Sequence, residues 1–564
     1  MTFTFIWQEI IAVCKSHPEI LIFLAIAIGY YVGKIKFFGF SLGSTASVLL
    51  SALVLGQLDV TITPLIRMIA FSLFIFTIGY KVGPQFFGSL KKEGIHYLVL
   101  AIFFALVGLA AAIILGKLFG FDQGTTAGLM GGALTQSSII GTAEGAIQGL
   151  SISAAQKSLL SSNIAIAYAI TYIFGVAGLI LFYKLIPKLL RINLKDNARK
   201  VEEQLSGGPI KEDDDTFTWN EQPSMRVFRV TNTKLDGKTI RDLQKLLTKK
   251  VTIIKIKHGK KLIDPEPGLV LQVRDKIAII AKRAMMFEAA KIIGPEVNDY
   301  ILSTIPHEAL KIYVTKPKAV GKKISKVIAS YGNNCFVEKL IRNEHEFTFT
   351  KNARLQKYDV LHVIGIEKDV EAFAKTIGHA ERETKVTDMV MVGIGCFLGT
   401  LLGLAAVKIG TIPITLGVGG GVLVSGLFFG WLRSVNPTFG YIPEGTQWLL
   451  TNFGLNLFIA CVGLTAGPRA LHALQTNGIS LFLAGLLLTL IPHILGLIFG
   501  KIILKMDYVL LLGALTGAGT ATPALNVLKN EADSPVPALG YTIPYALGNF
   551  ILTVWGTVII YVMT

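Results

Sequence analysis

Thr135, Gln136, Ser137 and Ser138 are consecutive in GGALTQSSIIGTAEG, three hydroxyls and an amide within a strongly apolar neighbourhood. Side chains of these types hydrogen-bond a small polar solute. A second tract, TGAGTATPALN, brings Gly519, Thr520, Thr522 and Pro523 together. Gly131 and Gly132 permit tight turns and close approach of other groups, and Pro523 frees a carbonyl by breaking a helix. Free amides at the start of a half-helix attract a carboxylate, aided by the helix dipole. The glycines also fit a second reading, in which Gly128/Gly132 and Gly513/Gly517 let helices pack closely. Lys81, in GYKVGP between Gly79 and Gly83-Pro84, is a charge inside an otherwise apolar segment. Near a bilayer centre such a charge costs about 2.5 kcal/mol or more. A substrate carboxylate would satisfy it, as would snorkelling to the interface. Gly467 and Pro468 occupy the matching stretch later in the chain, followed by Arg469.

These residues need a membrane frame to hold them. The chain has 564 residues, 52% hydrophobic and only 16% charged. Long apolar stretches such as residues 98–115, 164–183, 481–498 and 543–561 meet the length of about 20 residues that a spanning helix requires. A polytopic α-helical membrane protein is expected. The net charge of +17 agrees with Lys and Arg gathered on cytoplasmic loops. The basic residues follow no RNA- or DNA-binding motif, which excludes nucleic acid as a partner. Cys14, Cys335, Cys396 and Cys461 form no CxxC pair, so neither a metal site nor a disulfide framework is signalled. With no Walker loop, HExxH or nucleophile elbow, the reading is of a non-enzyme without cofactor.

Charge divides the chain into three blocks, since 26 of the 37 acidic residues fall between Ile186 and Thr387. The expected organisation is a membrane repeat (1–190), a polar linker (191–222) too polar to fold alone, two α+β domains (223–300 and 301–386) and a second membrane repeat (387–564). The two soluble domains repeat each other: Gly237-Lys238 pairs with Gly321-Lys322, and Asp275 with Asp359, both 84 residues apart. Each copy reads strand, GK turn, helix, strand, hairpin, Asp turn, strand, helix. The pattern resembles the C-terminal regulatory domains of potassium-channel and potassium-uptake regulators. That resemblance implies a small-molecule or nucleotide regulator and a homodimer; a structural spacer is the alternative.

The membrane blocks also match in order. FSLGSTASVLLSALVLGQL aligns with ITLGVGGGVLVSGLFFGWL, LFIFTIGYKVGPQFF with LFIACVGLTAGPRAL, AGLMGGALTQSS with LGALTGAGTATP, and IAYA (166–169) with IPYA (543–546). Six apolar segments occur per half, in the first near 19–33, 42–57, 66–87, 95–117, 124–148 and 161–185. Lys34, Lys36, Lys91 and Lys92 place two loops in the cytoplasm. The central block stays cytoplasmic only if segment five enters and leaves on one side. Two inverted repeats follow, each of about five spans plus one re-entrant hairpin, with the hairpin tips meeting near the midplane where such transporters bind substrate. Glu144 is expected near an interface, and no buried acidic pair suggests proton coupling.

The whole layout resembles the aspartate–alanine exchanger family of bacterial transporters, on GYKVGP, GGALTQSSIIGTA, the duplicated membrane halves and the tandem soluble domains. The resemblance covers nearly the full chain. It implies a secondary transporter of the inner membrane exchanging aspartate for alanine by alternating access, a small anionic or zwitterionic solute, and the lipid bilayer as partner. For other members it implies export of dicarboxylates such as succinate. Where the family carries arginine this chain has Lys81, a point charge instead of a bidentate fork, so a carboxylate is implied more firmly than aspartate itself. The expected substrate-binding set is Lys81, Thr135, Gln136, Ser137, Ser138, Gly519, Thr520, Thr522 and Pro523. Gly79, Gly83, Pro84, Gly131, Gly132, Gly467 and Pro468 are the expected hinge and packing residues. A regulated ion channel or cation transporter is the competing reading, although no carbonyl-lined filter or acidic ring is evident.

Overall fold

The computed structural model of the chain describes residues 9, 11–37, 40–41, 43–89, 94–206, 224–247, 251–281, 283–303, 307–332, 335–342, 345–347, 352–381, 386–409, 412–435 and 440–563. Lys91, Lys92 and the acidic end of the linker lie outside these. The chain divides into two compact units, Met1–Arg199 with Glu383–Thr564, and Lys200–Arg382.

In the first half of the membrane unit, α1 (Pro18–Val32) leads through a short antiparallel pair, β1 (Lys36–Phe37) on β2 (Phe40–Ser41), into α2 (Gly43–Leu55). Then come α3 (Pro64–Ser89) and α4 (Ile95–Leu118). Two short helices follow, α5 (Gln123–Ala133) and α6 (Ser138–Gly149), and then the long α7 (Ala154–Leu189). Asp122 caps α5, accepting the Thr125 N–H at 2.7 Å, and a Ser153/Gln156 capping box starts α7. Glycine brings α5 onto α7: Gly124 lies on Leu160, Gly128 on Ile164 and Gly132 on Tyr168. These contacts advance together along both helices, so α5 and α7 run parallel. The return from the end of α5 to the start of α7 falls to α6, and α5 and α6 form a hairpin.

The polar linker begins as a helix, α8 (Leu194–Ser206), where the sequence suggested an unfolded run. Asn193 initiates it, its side-chain oxygen 3.3 Å from the Asp196 N–H. The soluble unit then holds two sheets. The first has strand order β3 (Ser224–Arg229), β6 (Lys276–Ala281), β4 (Thr252–His258), β5 (Lys261–Ile263), all antiparallel, with α9 (Ile240–Leu246) and α10 (Arg283–Ile293). The second has order β11 (Gly378–Glu381), β7 (His307–Val314), β10 (Val360–Ile366), β8 (Cys335–Arg342), β9 (His345–Phe347), with α11 (Ile324–Tyr331) and α12 (Glu367–Ile377). The repeat holds to the hydrogen bond. Gly237 and Gly321 both have positive φ, 74° and 78°, and donate to Leu271 O (3.0 Å) and Leu355 O (2.7 Å). Asp275 and Asp359 close equivalent turns, accepting from Gln272 N (2.8 Å) and Gln356 N (2.7 Å). The basic partner of each buried carboxylate differs: His258 Nδ1 lies 2.9 Å from Asp275, whereas Arg342 binds Asp359 through two 2.8 Å bonds.

The second half of the membrane unit repeats the first: α13 (Met389–Leu404), β12 (Ala406–Ile409) paired with β13 (Ile412–Thr415), α14 (Gly417–Val435), α15 (Glu444–Ile502), α16 (Tyr508–Ala518), α17 (Thr522–Ala532) and α18 (Val536–Val562). Among the described residues, six helices are long and apolar enough to cross a membrane: α3, α4, α7, α14, α15 and α18. One difference from the sequence reading is α15, a single 59-residue helix where two separate segments were expected. The intervening RALHALQTNG is rich in strong helix formers, which carry the helix through an exposed stretch.

A second difference is register. In this half Gly513 lies on Pro537 and Gly517 on Tyr541. Since Gly132 lies on Tyr168, Tyr168 corresponds to Tyr541 and Tyr172 to Tyr545, one helical turn away from the pairing of IAYA with IPYA. Short sequence matches in helices slide by one turn at little cost to hydrophobic pattern; backbone packing does not.

Replacing Arg342 by alanine leaves the Asp359 carboxylate buried without its fork, a change that costs about 3–5 kcal/mol in comparable buried pairs. Hydrogen exchange of the full-length variant is expected to show lost protection in β8 and β10 with β3–β6 unaffected. The first domain is acid-sensitive through Asp299. Burial opposes its charge, but Lys257 (2.8 Å), Lys276 (2.6 Å) and the Leu302 N–H (3.2 Å) outweigh it, holding its carboxyl well below the usual carboxylate range. Because the folded-state value is depressed, the stabilisation is present above about pH 4, the unfolded carboxylate value, and is lost as pH falls further. Asp299→Asn is expected to flatten that acid limb of the first domain's exchange protection.

Candidate transport site

Each hairpin turns on a threonine. The end of α5 is a Schellman motif: Thr135 N–H bonds Gly132 O at 3.0 Å and Gln136 N–H bonds Gly131 O at 2.7 Å. The end of α16 repeats it, Thr520 N–H to Gly517 O and Ala521 N–H to Thr516 O, both 2.8 Å. Such motifs ordinarily place glycine in the left-handed position. Here β-branched residues occupy it, Thr135 at φ 52° and Thr520 at φ 55°, at a cost of about 1–3 kcal/mol each.

The strained threonines meet. Thr135 Oγ1 donates to Gly519 O at 3.4 Å, and Thr520 Oγ1 donates to Leu134 O at 3.2 Å. The two bonds are the same bond seen from each half. A further matching pair fixes each tip to its long helix: Ser137 Oγ to Tyr168 OH at 2.6 Å, and Thr522 Oγ1 to Tyr541 OH at 2.7 Å. Tyr168 packs on Tyr172 and Tyr541 stacks on Tyr545, with centroids 5.2 and 4.9 Å apart. Beside the crossing is a cavity of about 160 Å³, lined by Thr135, Tyr172, Gly175, Thr520, Thr522 and Pro523 among others. The N-terminus of α17, with Pro523 in its first turn, faces this cavity and lends it the positive end of a helix dipole.

The structure brings Thr135, Thr520, Thr522 and Pro523 to one cavity, with Gly519 at the crossing itself. Ser137 spends its hydroxyl on Tyr168. Gln136 and Ser138 turn away: the Gln136 amide donates to Ser138 (2.7 Å), Thr553 (3.2 Å) and Asn549 O (3.3 Å), and Ser138 bonds Thr553. Their hydrogen bonds are used in tying the first hairpin to α18. Lys81 is exposed on α3 and does not line the cavity. Its neighbours Gly79 and Gly83 pack on the other side, against Leu423 and Leu427 of α14, and Pro84 sits within α3. Gly131 supplies the carbonyl of the first Schellman bond, and a Cβ on Gly132 would stand 2.0 Å from Thr171 Oγ1. Gly467 meets Gly56, and Pro468 lies inside α15. Arg469, exposed on α15, also reaches α7, 3.3 Å from Ser158 Oγ.

Two features escaped the sequence reading. Glu144 is buried on α6 and ion-paired with Arg67 of α3. Its partner lies 77 positions earlier, in a separate segment, and no spacing rule links them. His493 is fully buried on α15 next to the second tip; the signal available was an ionisable side chain within an apolar window.

Comparison with known proteins agrees with this architecture. Residues 21–188 and 391–561 match the model of a predicted permease membrane region, that of the aspartate–alanine exchangers, and residues 225–294 match the TrkA-C domain. An uncharacterized transporter of Bordetella parapertussis is 37% identical over 557 residues, covering 97% of both chains. One of Shewanella oneidensis is 36% identical over 560 residues, 98% of this chain and 99% of its own. One of Bradyrhizobium diazoefficiens is 37% identical over 555 residues, 97% and 98% respectively. No solved structure matches. A duplicated helical membrane unit built on paired hairpins, interrupted by a TrkA-C domain, thus has full-length relatives, and the chain belongs to the aspartate–alanine exchanger family of membrane permeases: it is a multi-pass transporter.

Proposed function

We propose that the chain is a secondary exchanger of small carboxylates and amino acids, aspartate against alanine, working by alternating access at the cavity beside the two hairpin tips. The observation that carries this reading is the reciprocal Thr135–Gly519 and Thr520–Leu134 contact next to that cavity. Separating the tips would free two hydroxyls and two carbonyls at one point. A zwitterionic amino acid offers a carboxylate to the hydroxyls and the α17 N-terminus, and an ammonium to the carbonyls. Lys81 makes no ion pair among the described residues, and its exposed charge on α3 is available to draw an anion.

An inverted relation of the halves is part of this proposal. It is supported by helix directions: α5 runs parallel to α7, while α6 advances with α18, Ile139 and Ala143 on Gly556 and Thr142 on Thr553 and Thr557. With α6 antiparallel to α5, α7 and α18 then run in opposite directions. We place the protein in a bacterial inner membrane, as a homodimer, with the central domains cytoplasmic and tuning transport through a bound small molecule or nucleotide. A dicarboxylate such as succinate would use the same contacts, leaving the choice of solute to experiment.

In proteoliposomes of the purified chain loaded with alanine, labelled aspartate is expected to enter by counterflow. Thr135→Val and Thr520→Val each remove one crossing hydroxyl. Each should lower the rate about tenfold to a hundredfold, as loss of a hydrogen bond to a charged group worth about 1.5–3 kcal/mol predicts. Uptake of succinate but not aspartate would reassign the solute. Full rates in both threonine variants would remove the tips from the site.

A further inference from the structure

His493 and Thr489 stand one turn apart on α15, and each touches one tip. Thr489 Oγ1 donates to Ala133 O at 3.1 Å, at the end of the first tip helix. His493 lies against the second: its Nε2 is 2.9 Å from where a Cβ on Gly519 would stand. Gly519 is the residue whose carbonyl receives Thr135. The imidazole Nδ1 lies 2.8 Å from the Thr489 carbonyl oxygen. It therefore carries the hydrogen and leaves Nε2 as an acceptor. That Nε2 is buried and has no hydrogen-bond partner among the described residues.

The surroundings explain why it stays bare. Phe104 of α4 meets the ring edge-on at 4.8 Å, and Phe182 and Tyr183 of α7 at 6.0 and 5.8 Å. Gly519 closes the remaining side. Among these contacts Tyr183 is the sole titratable group, and its hydroxyl is also buried without a hydrogen-bond partner among the described residues. No charged side chain is among them. An orphaned buried acceptor is costly, a cost that a phenylalanine at this position would avoid. The cage holds an imidazole whose one open atom points at the moving part of the site.

We infer that His493 is a proton-binding residue of the transport cycle: Nε2 takes up one proton when the tips part to admit an anionic solute, and releases it when they close. This rests on the reading of the tips as the transport site. With the tips closed, no acceptor or counter-charge faces an Nε2–H, so the neutral ring is the stable form. Opening the crossing admits water, the proton source, and brings a carboxylate beside the ring. The imidazolium and the anion then offset each other's desolvation. Net charge carried with a monovalent anion would be zero.

The test measures protons on the full-length purified chain, using a pH-indicator dye and saturating L-aspartate or, separately, succinate. The wild type is expected to take up about one proton per bound anion. Its affinity should weaken by up to about tenfold per pH unit on the alkaline side. His493→Gln should bind without proton uptake and with a flat pH profile. Wild-type binding with no proton taken up overturns the inference, as does a His493→Gln protein that keeps the wild-type slope. Should neither anion bind, the solute assignment fails and His493 is read directly. In histidine-labelled protein, the resonance absent from His493→Gln is followed between about pH 5 and 8. With no anion admitted the closed tips keep the ring neutral, so a signal fixed in the neutral form throughout this range upholds the assignment, and one that titrates within it overturns it.

Discussion

Two threonine hydroxyls crossing between two helix ends are the contact on which the membrane unit turns. Each sits in a backbone conformation that glycine would adopt without strain. Glycine at Thr135 or Thr520 would relax the turn and remove the hydroxyl, so conformational ease is exchanged for a directed donor. The glycines of α5 and α16 make the crossing reachable. They press backbone against α7 and α18, which sets each tip's depth by contact between main chains and leaves little slack in where Thr135 and Thr520 meet.

The scaffold is duplicated but its fastenings are not. On the first hairpin Gln136, Ser138 and Thr142 bond Asn549 and Thr553 of α18, and Glu144 pairs with Arg67. The equivalent positions on the second hairpin are Ala521, Pro523, Val527 and Lys529. The first three cannot make side-chain hydrogen bonds, and the fourth reverses the charge. A buried ion pair that loses one member costs about 3–5 kcal/mol. The first hairpin is therefore tied at several points, while the second rests more on packing and on Thr522–Tyr541.

The soluble unit shows the same economy of duplication with local change. Both domains close the same turn with a buried aspartate. Arg342 holds in the second domain the place that His258 holds in the first. The first domain adds Asp299 between two lysines. Residues 225–294 match the TrkA-C model, and the second domain repeats the turn bonds and strand order around its own carboxylate.

The residue pattern alone determined the membrane class, the inserted soluble block, its repeat down to Gly237/Gly321 and Asp275/Asp359, and the polar hairpin tips. Each is a local signal of apolar length, charge density, a glycine that must take positive φ, or a helix that cannot continue. Tertiary structure decided what the side chains do. Gln136 and Ser138 read as solute ligands by type, but besides each other they bond α18, more than 400 residues away along the chain. Lys81 reads as a buried charge by position, but α3 turns Gly79 and Gly83 inward and Lys81 out. Glu144 and His493 acquire meaning only from what packs beside them. The one-turn shift between Tyr168 and Tyr541 has the same cause: hydrophobic periodicity repeats every turn, and only close backbone contact chooses among equivalent turns.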